Sequence, residues 1–174
     1  TKVYGQDPLD VGPILDAYVV GLEIQARVGQ SVNVEHYKLG WHSTSTVATI
    51  GSAAGCARLL GLPVEGMRNA ISIAVSTAAG SKRQFGTMAK PMHAGLAAKN
   101  AIMAASLAAA GIEASEEPLD GKWGFRELYA GDASPGFDDA MAALGGPLAI
   151  EEFALNPKSY PCCASTHTSL DGLL

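Results

Sequence analysis

Aromatic residues are scarce in this chain. Phe, Trp and Tyr supply 6% of 174 residues, although the apolar fraction is 48%. The apolar content therefore rests mainly on Ala, Val, Ile and Leu, which excludes a disordered chain and points to a packed globular core. Twenty glycines accompany the alanines. Small side chains at helix contacts shorten interaxial distances, so closely packed helices are expected.

Other scarcities exclude whole function classes. Cysteine occurs three times, as Cys56, Cys162 and Cys163. The count is odd and no CxxC pair exists, so neither a disulfide framework nor a zinc ribbon is expected. A reducing compartment follows, with the cytoplasm as the expected location. No run of Lys and Arg occurs and the net charge is -5, which argues against nucleic acid as a partner. No stretch of about 18 residues is free of charged or amide groups. The best candidate, 94–110, carries Lys99 and Asn100, so no membrane span is expected. The first ten residues are polar and give no leader signal. GxGxxG, Walker A, HExxH and GxSxG are all missing, so neither a nucleotide cofactor nor a metal is expected.

What is present reads as helix. Asp7-Pro8 is a helix start, followed by apolar residues at Leu9, Val11, Ile14, Leu15, Tyr18, Val19 and Leu22. The pattern fades near Gly29, and a polar loop is expected from there to Trp41. Ser43 or Thr44 is expected to cap a second helix, through about Leu60. Gly61 ends it and Pro63 opens a third, over 64–78. A loop over 80–87 precedes a fourth helix, from Pro91 to Ala110, with Gly111 past its end. Short helices are expected over 125–129 and 137–144. The stretch 148–163 reads as extended, with Pro157 and Pro161 opposing a helix, and 164–174 reads as helical again. The fold class is all-α, a helix bundle. Both ends read as cut from a longer chain.

Several residues can carry chemistry. His42 follows Gly40-Trp41 and precedes the Ser/Thr run. A helix N-terminus disfavours a cationic imidazole, so a neutral His42 suits a base or a donor to a carboxylate. A histidine that only caps or packs beside Trp41 fits the same context. Lys90 lies beside a helix start, where free N–H groups and an ammonium suit an anion. A solvated loop lysine is the plain alternative. His93 falls on the first turn of the same helix. Lys158 lies in a stretch stiffened by Pro157 and Pro161. Cys162 or Cys163 could pair with His167, but nothing in the sequence marks either thiol as activated.

Three segments carry a resemblance: GWHSTSTVATIGSAAGCARLLGL, FGTMAKPMHAGLAAKNAIMAASLAAAG and NPKSYPCCASTHTSLDGLL. In that order they resemble the MmgE/PrpD family, which includes 2-methylcitrate dehydratase, cis-aconitate decarboxylase and iminodisuccinate epimerase. The resemblance implies a large helical domain and a smaller α+β lid, a homodimer, and no cofactor. It implies 1–155 as helical core, and 156–174 as the active-site segment leading to a lid that is missing here. It places His42, Lys90 and Lys158 at catalytic positions; Thr87, His93 and Tyr160 lie within the matching segments and are expected to bind substrate. His42 would move a proton or orient a carboxylate, and the lysines would hold carboxylates or stabilise a carbanion.

The function expected is a hydro-lyase that dehydrates a small tricarboxylate such as 2-methylcitrate, by proton abstraction next to a carboxylate. An epimerase or decarboxylase on the same fold is the alternative, and a non-catalytic helical scaffold is another. The family's upstream Asp/His segment has no counterpart here, so this stretch alone is expected to be inactive.

Overall fold

A computed structural model describes residues 11–153 and 155–174. The Asp7-Pro8 helix start lies outside the described residues. Helix α1 runs over Gly12–Val32, with Pro13 in its first turn. Short α2 covers Glu35–Lys38. Then come α3 (Thr46–Leu59), α4 (Val64–Thr77) and α5 (Ala89–Ala109). Short helices follow: α6 (Phe125–Tyr129), α7 (Asp138–Ala142), α8 (Ala149–Glu152) and α9 (His167–Asp171). Among the described residues there is no strand, only an isolated bridge of Trp41 with Ser81. The all-α expectation holds, and no helix is long and apolar enough to cross a membrane.

Helix α3 is the central element and packs against α1, α4 and α5. Its contacts are made by small residues. A Cβ on Gly51 would lie 2.5 Å from Gln25 Cβ and 2.7 Å from the Gly21 carbonyl oxygen. One on Gly55 would lie 2.8 Å from the Ala17 oxygen. Helices α1 and α3 therefore meet backbone to backbone, as the glycine and alanine content predicts. Toward α4 and α5 the seam is alanine against alanine, with Ala53, Ala57, Ala70, Ala74, Ala101, Ala104 and Ala105 all fully buried. The larger apolar residues collect at one end, where Val28, Val32, Val47 and Ile50 pack with Phe125 and Phe137.

Three expectations are corrected. The polar stretch after Gly29 is not a loop: α1 continues to Val32 and α2 follows directly. Arg27, Gln30 and Ser31 broke the apolar spacing, yet Arg27 and Ser31 are buried inside the bundle. Arg27 donates to Glu23, Gln30, Glu152 and the Pro147 carbonyl, so its charge is met there. The second correction concerns 148–163, whose first part forms α8. The Ala149 N–H donates to buried Glu23, which docks α8 on α1. Among the described residues of this stretch, Leu148, Phe153 and 155–163 lie outside the helix. The third concerns α5, which starts at Ala89 rather than Pro91. Proline is tolerated there because N–H groups in the first turn have no intrahelical acceptor.

Candidate active site

The turn that carries His42 is fixed by backbone bonds on both sides. Its carbonyl accepts from the N–H groups of Ser45 and Thr46, at 2.8 and 3.1 Å. Residues 43–45 already turn helically, so neither Ser43 nor Thr44 caps α3 with its side chain, contrary to expectation. The His42 N–H donates to the Gly80 carbonyl, and the Lys82 N–H donates to the Gly40 carbonyl. These two bonds stitch the His42 turn to the segment that enters α5. Gly80 has φ +139, and a Cβ there would lie 2.6 Å from Ser45 Cβ. Only glycine permits both that backbone conformation and that approach.

This stitching brings the first turns of α5 against His42. His93 is buried and its Nδ1 lies 2.8 Å from the His42 Nδ1. Burial is the main cause holding the His42 imidazole below its ordinary pKa, followed by His93 and then the Lys90 ammonium. A neutral His42 was expected from a helix terminus, whereas in the structure burial is the larger cause. With Nδ1 engaged, Nε2 is the ring nitrogen left for a substrate.

Lys90 sits on the first turn of α5. Its ammonium lies 4.6 Å from the centre of the Phe85 ring, and the same ring meets His42 edge-on at 4.9 Å. His42, Thr44, Lys90, Pro91, Ala94, Lys158, Pro161, Cys162 and Cys163 line one cavity of about 590 Å³. Three residues from distant parts of the sequence, His42, Lys90 and Lys158, thus share one space. Two cations and a buried neutral imidazole around such a volume suit a small molecule with several carboxylates.

The remaining expected positions differ. Thr87 accepts from the Ala89 N–H and donates to the Gln84 carbonyl, so it shapes the entry to α5 and does not line the cavity. Tyr160 donates to Asp171 at 2.7 Å and holds α9 rather than facing the cavity. Lys158 donates to the Cys162 carbonyl, which folds the stiff segment back on itself.

Phe85 was not singled out from the sequence, and Cys163 was considered only as a partner of His167. Cys163 Sγ lies 3.6 Å from Lys90 Nζ. Its thiol is held below its ordinary pKa by backbone and side-chain hydrogen bonds with Ser165, and then by the Lys90 charge. The imagined pairing of a cysteine with His167 does not form. His167 meets the Tyr160 ring edge-on instead, and Cys162 pairs with the Thr166 hydroxyl. Among the described residues, no group of three or more His, Cys, Asp or Glu side chains could hold a metal ion.

Fold and cavity define an all-helical domain that sets one histidine and two lysines on one cavity, with His93 buried behind His42 and not lining it. Residues 10–138 match the MmgE/PrpD N-terminal domain, and the chain belongs to that family. It is 35% identical to human cis-aconitate decarboxylase over 159 residues, which is 91% of this chain and 32% of that protein. The mouse cis-aconitate decarboxylase is 33% identical over the same shares. That of Aspergillus terreus is 27% identical over 92% of this chain and 34% of its own length. The chain spans about a third of the length of the curated relatives it matches.

Proposed function

We propose that the full-length protein is a lyase that decarboxylates an unsaturated tricarboxylate of the cis-aconitate kind. One observation carries this reading: His42, Lys90 and Lys158 line a single cavity. The relatives named cis-aconitate decarboxylase support the choice of reaction. They shift emphasis away from the dehydration of 2-methylcitrate that the sequence suggests. Both reactions use the same cations and the same proton-transfer group, so the dehydratase remains the second reading.

The chemistry follows from the parts. Lys90 and Lys158 hold two carboxylates by charge-assisted hydrogen bonds. The third carboxylate, on the carbon next to the double bond, is left away from the cations. Its bond to carbon breaks and carbon dioxide leaves. The electron pair moves through the double bond to the carbon beside a retained carboxylate. A lysine facing that carboxylate stabilises the developing charge. His42, which takes up a proton from solvent before the substrate closes the cavity, then delivers it from Nε2 to that carbon. In the dehydration reading, the same nitrogen takes a proton from a carbon next to a carboxylate. The homodimer, the cytoplasmic location and a lid domain opening at 156–174 belong to the same proposal.

The test is product mass after incubation of the full-length protein with cis-aconitate and with 2-methylcitrate. Loss of carbon dioxide from cis-aconitate is expected. Loss of water from 2-methylcitrate alone would establish the dehydratase instead. No reaction with either would remove both readings.

A further inference from the structure

His36 is fully buried and takes no part in the chemistry above. Its backbone and both its ring nitrogens are nevertheless spent on the segment that carries His42. Nε2 lies 2.8 Å from the Thr46 hydroxyl, and Nδ1 lies 3.5 Å from the Ser43 hydroxyl. The Thr46 hydroxyl in turn donates to the His42 carbonyl at 3.3 Å. The His36 carbonyl accepts from the Trp41 N–H. One proton arrangement satisfies every group. Thr46 spends its only hydroxyl proton on the His42 carbonyl, so it accepts from His36 Nε2–H, and Nδ1 accepts from Ser43.

The ring is also fixed from its other side. Tyr129 stacks on it at 6.4 Å and Phe125 lies at 6.1 Å. Tyr129 packs at 4.5 Å against Trp41, the neighbour of His42. The same aromatic platform on α6 therefore supports the His36 ring and the turn above it.

We infer that His36 is a positioning residue: its neutral imidazole, bridged by Thr46, sets where the His42 turn sits and so aims the His42 ring into the cavity. The catalytic part of this statement rests on the proposed decarboxylase reading, while the positional part does not. A phenyl ring would keep the stacking but leave the Thr46 hydroxyl without its donor and the Ser43 hydroxyl without its acceptor. Small displacements of a catalytic group cost rate far more than they cost substrate binding.

The experiment compares the full-length protein with His36→Phe, His36→Gln and Thr46→Val. His36→Phe keeps the stacking and removes both nitrogens. Thr46→Val keeps the volume and removes the bridge. Each is expected to lower kcat on cis-aconitate by roughly 10–100-fold, with KM changed by less than about 3-fold. The double variant should lose no more than either single one. His36→Gln keeps a donor toward Thr46 and should recover most of the rate.

In parallel, the imidazole nitrogen NMR signals of His42 and His93 are recorded without substrate. They are expected to shift or broaden in His36→Phe and in Thr46→Val. Unchanged signals in folded variants would overturn the inference, as would unchanged kcat. If the parent protein does not turn over cis-aconitate, the decarboxylase reading fails by itself, and the NMR comparison still decides the positioning role.

Discussion

His42 and His93 face each other through their Nδ1 atoms at 2.8 Å. One proton lies between the two nitrogens, so one ring donates and the other accepts. A second added proton would set two N–H groups against each other. The pair therefore takes up at most one positive charge, and it does so beside the Lys90 ammonium. Burial and the neighbouring groups lower the His42 pKa, so His42 gives up a proton readily, as suits its delivery to carbon.

The pH dependence follows with a definite sign. Burial, His93 and Lys90 all lower the His42 pKa. If protonated His42 is the donor, kcat/KM falls as pH rises through an apparent pKa below the ordinary histidine value of about 6.5. Lys90→Gln removes a charge that opposes the imidazolium, so the descending limb moves to higher pH. The same variant loses a substrate contact, and kcat/KM is expected to drop by about 100-fold or more. A limb that stays in place in the residual activity would contradict the pairing of Lys90 with His42.

Acid stability gives a second prediction. Burial lowers the His36 pKa to about 4, from the model-peptide value near 6.5. Between those values the unfolded chain binds the proton and the folded one does not. The stability contribution is therefore complete above about pH 6.5 and is lost progressively as pH falls to about 4, by roughly 3 kcal/mol. Urea unfolding across that window should show a steeper acid loss in the parent than in His36→Phe. Parallel curves would mean that His36 is protonated in the folded state.

Gly51→Ala tests the backbone contact of α1 with α3. The new methyl group would collide with Gln25 Cβ and the Gly21 oxygen, atoms of a long helix that cannot step aside singly. A loss of about 1–3 kcal/mol is expected from overpacking, measured by urea denaturation. A neutral or stabilising result would show that α1 can slide.

Arg27→Met tests the buried charge cluster. The substitution strands Glu23, which is 8% exposed and also accepts from the Ala149 N–H. Tm is expected to fall by roughly 10 °C, with faster amide exchange in α8. Adding Glu23→Leu should restore part of the loss, because it removes the buried unmet charge; Glu152 is solvated, and the Ala149 N–H is left without its acceptor.

The long helices were legible because glycine and proline punctuate them. Gly61 and Gly111 both take positive φ just past the ends of α3 and α5, and Pro63 sits immediately before α4. The end of α1 was hidden because Arg27 and Ser31 look like surface residues until Glu23, Glu152 and Pro147 are seen around them. His42, Lys90 and His93 could be found through their places near helix starts. The meeting of Cys163 with Lys90 spans 73 residues and leaves no local pattern. Phe85 and His36 were passed over for a similar reason, since a single ring acquires its role only from what it touches.

The seam of Gly51 and Gly55 against α1 has a consequence for the spacing of the site. Where main chains meet directly, the separation of two helices is set by covalent geometry, and no rotamer adjusts it. Helix α3 thus acts as a gauge block, with its other faces held by alanines. Sequence drift among the larger residues around Phe125 and Phe137 can alter stability while the dimensions of the cavity stay the same. Tolerance to substitution should therefore be lowest along α3, in residues that never touch a substrate.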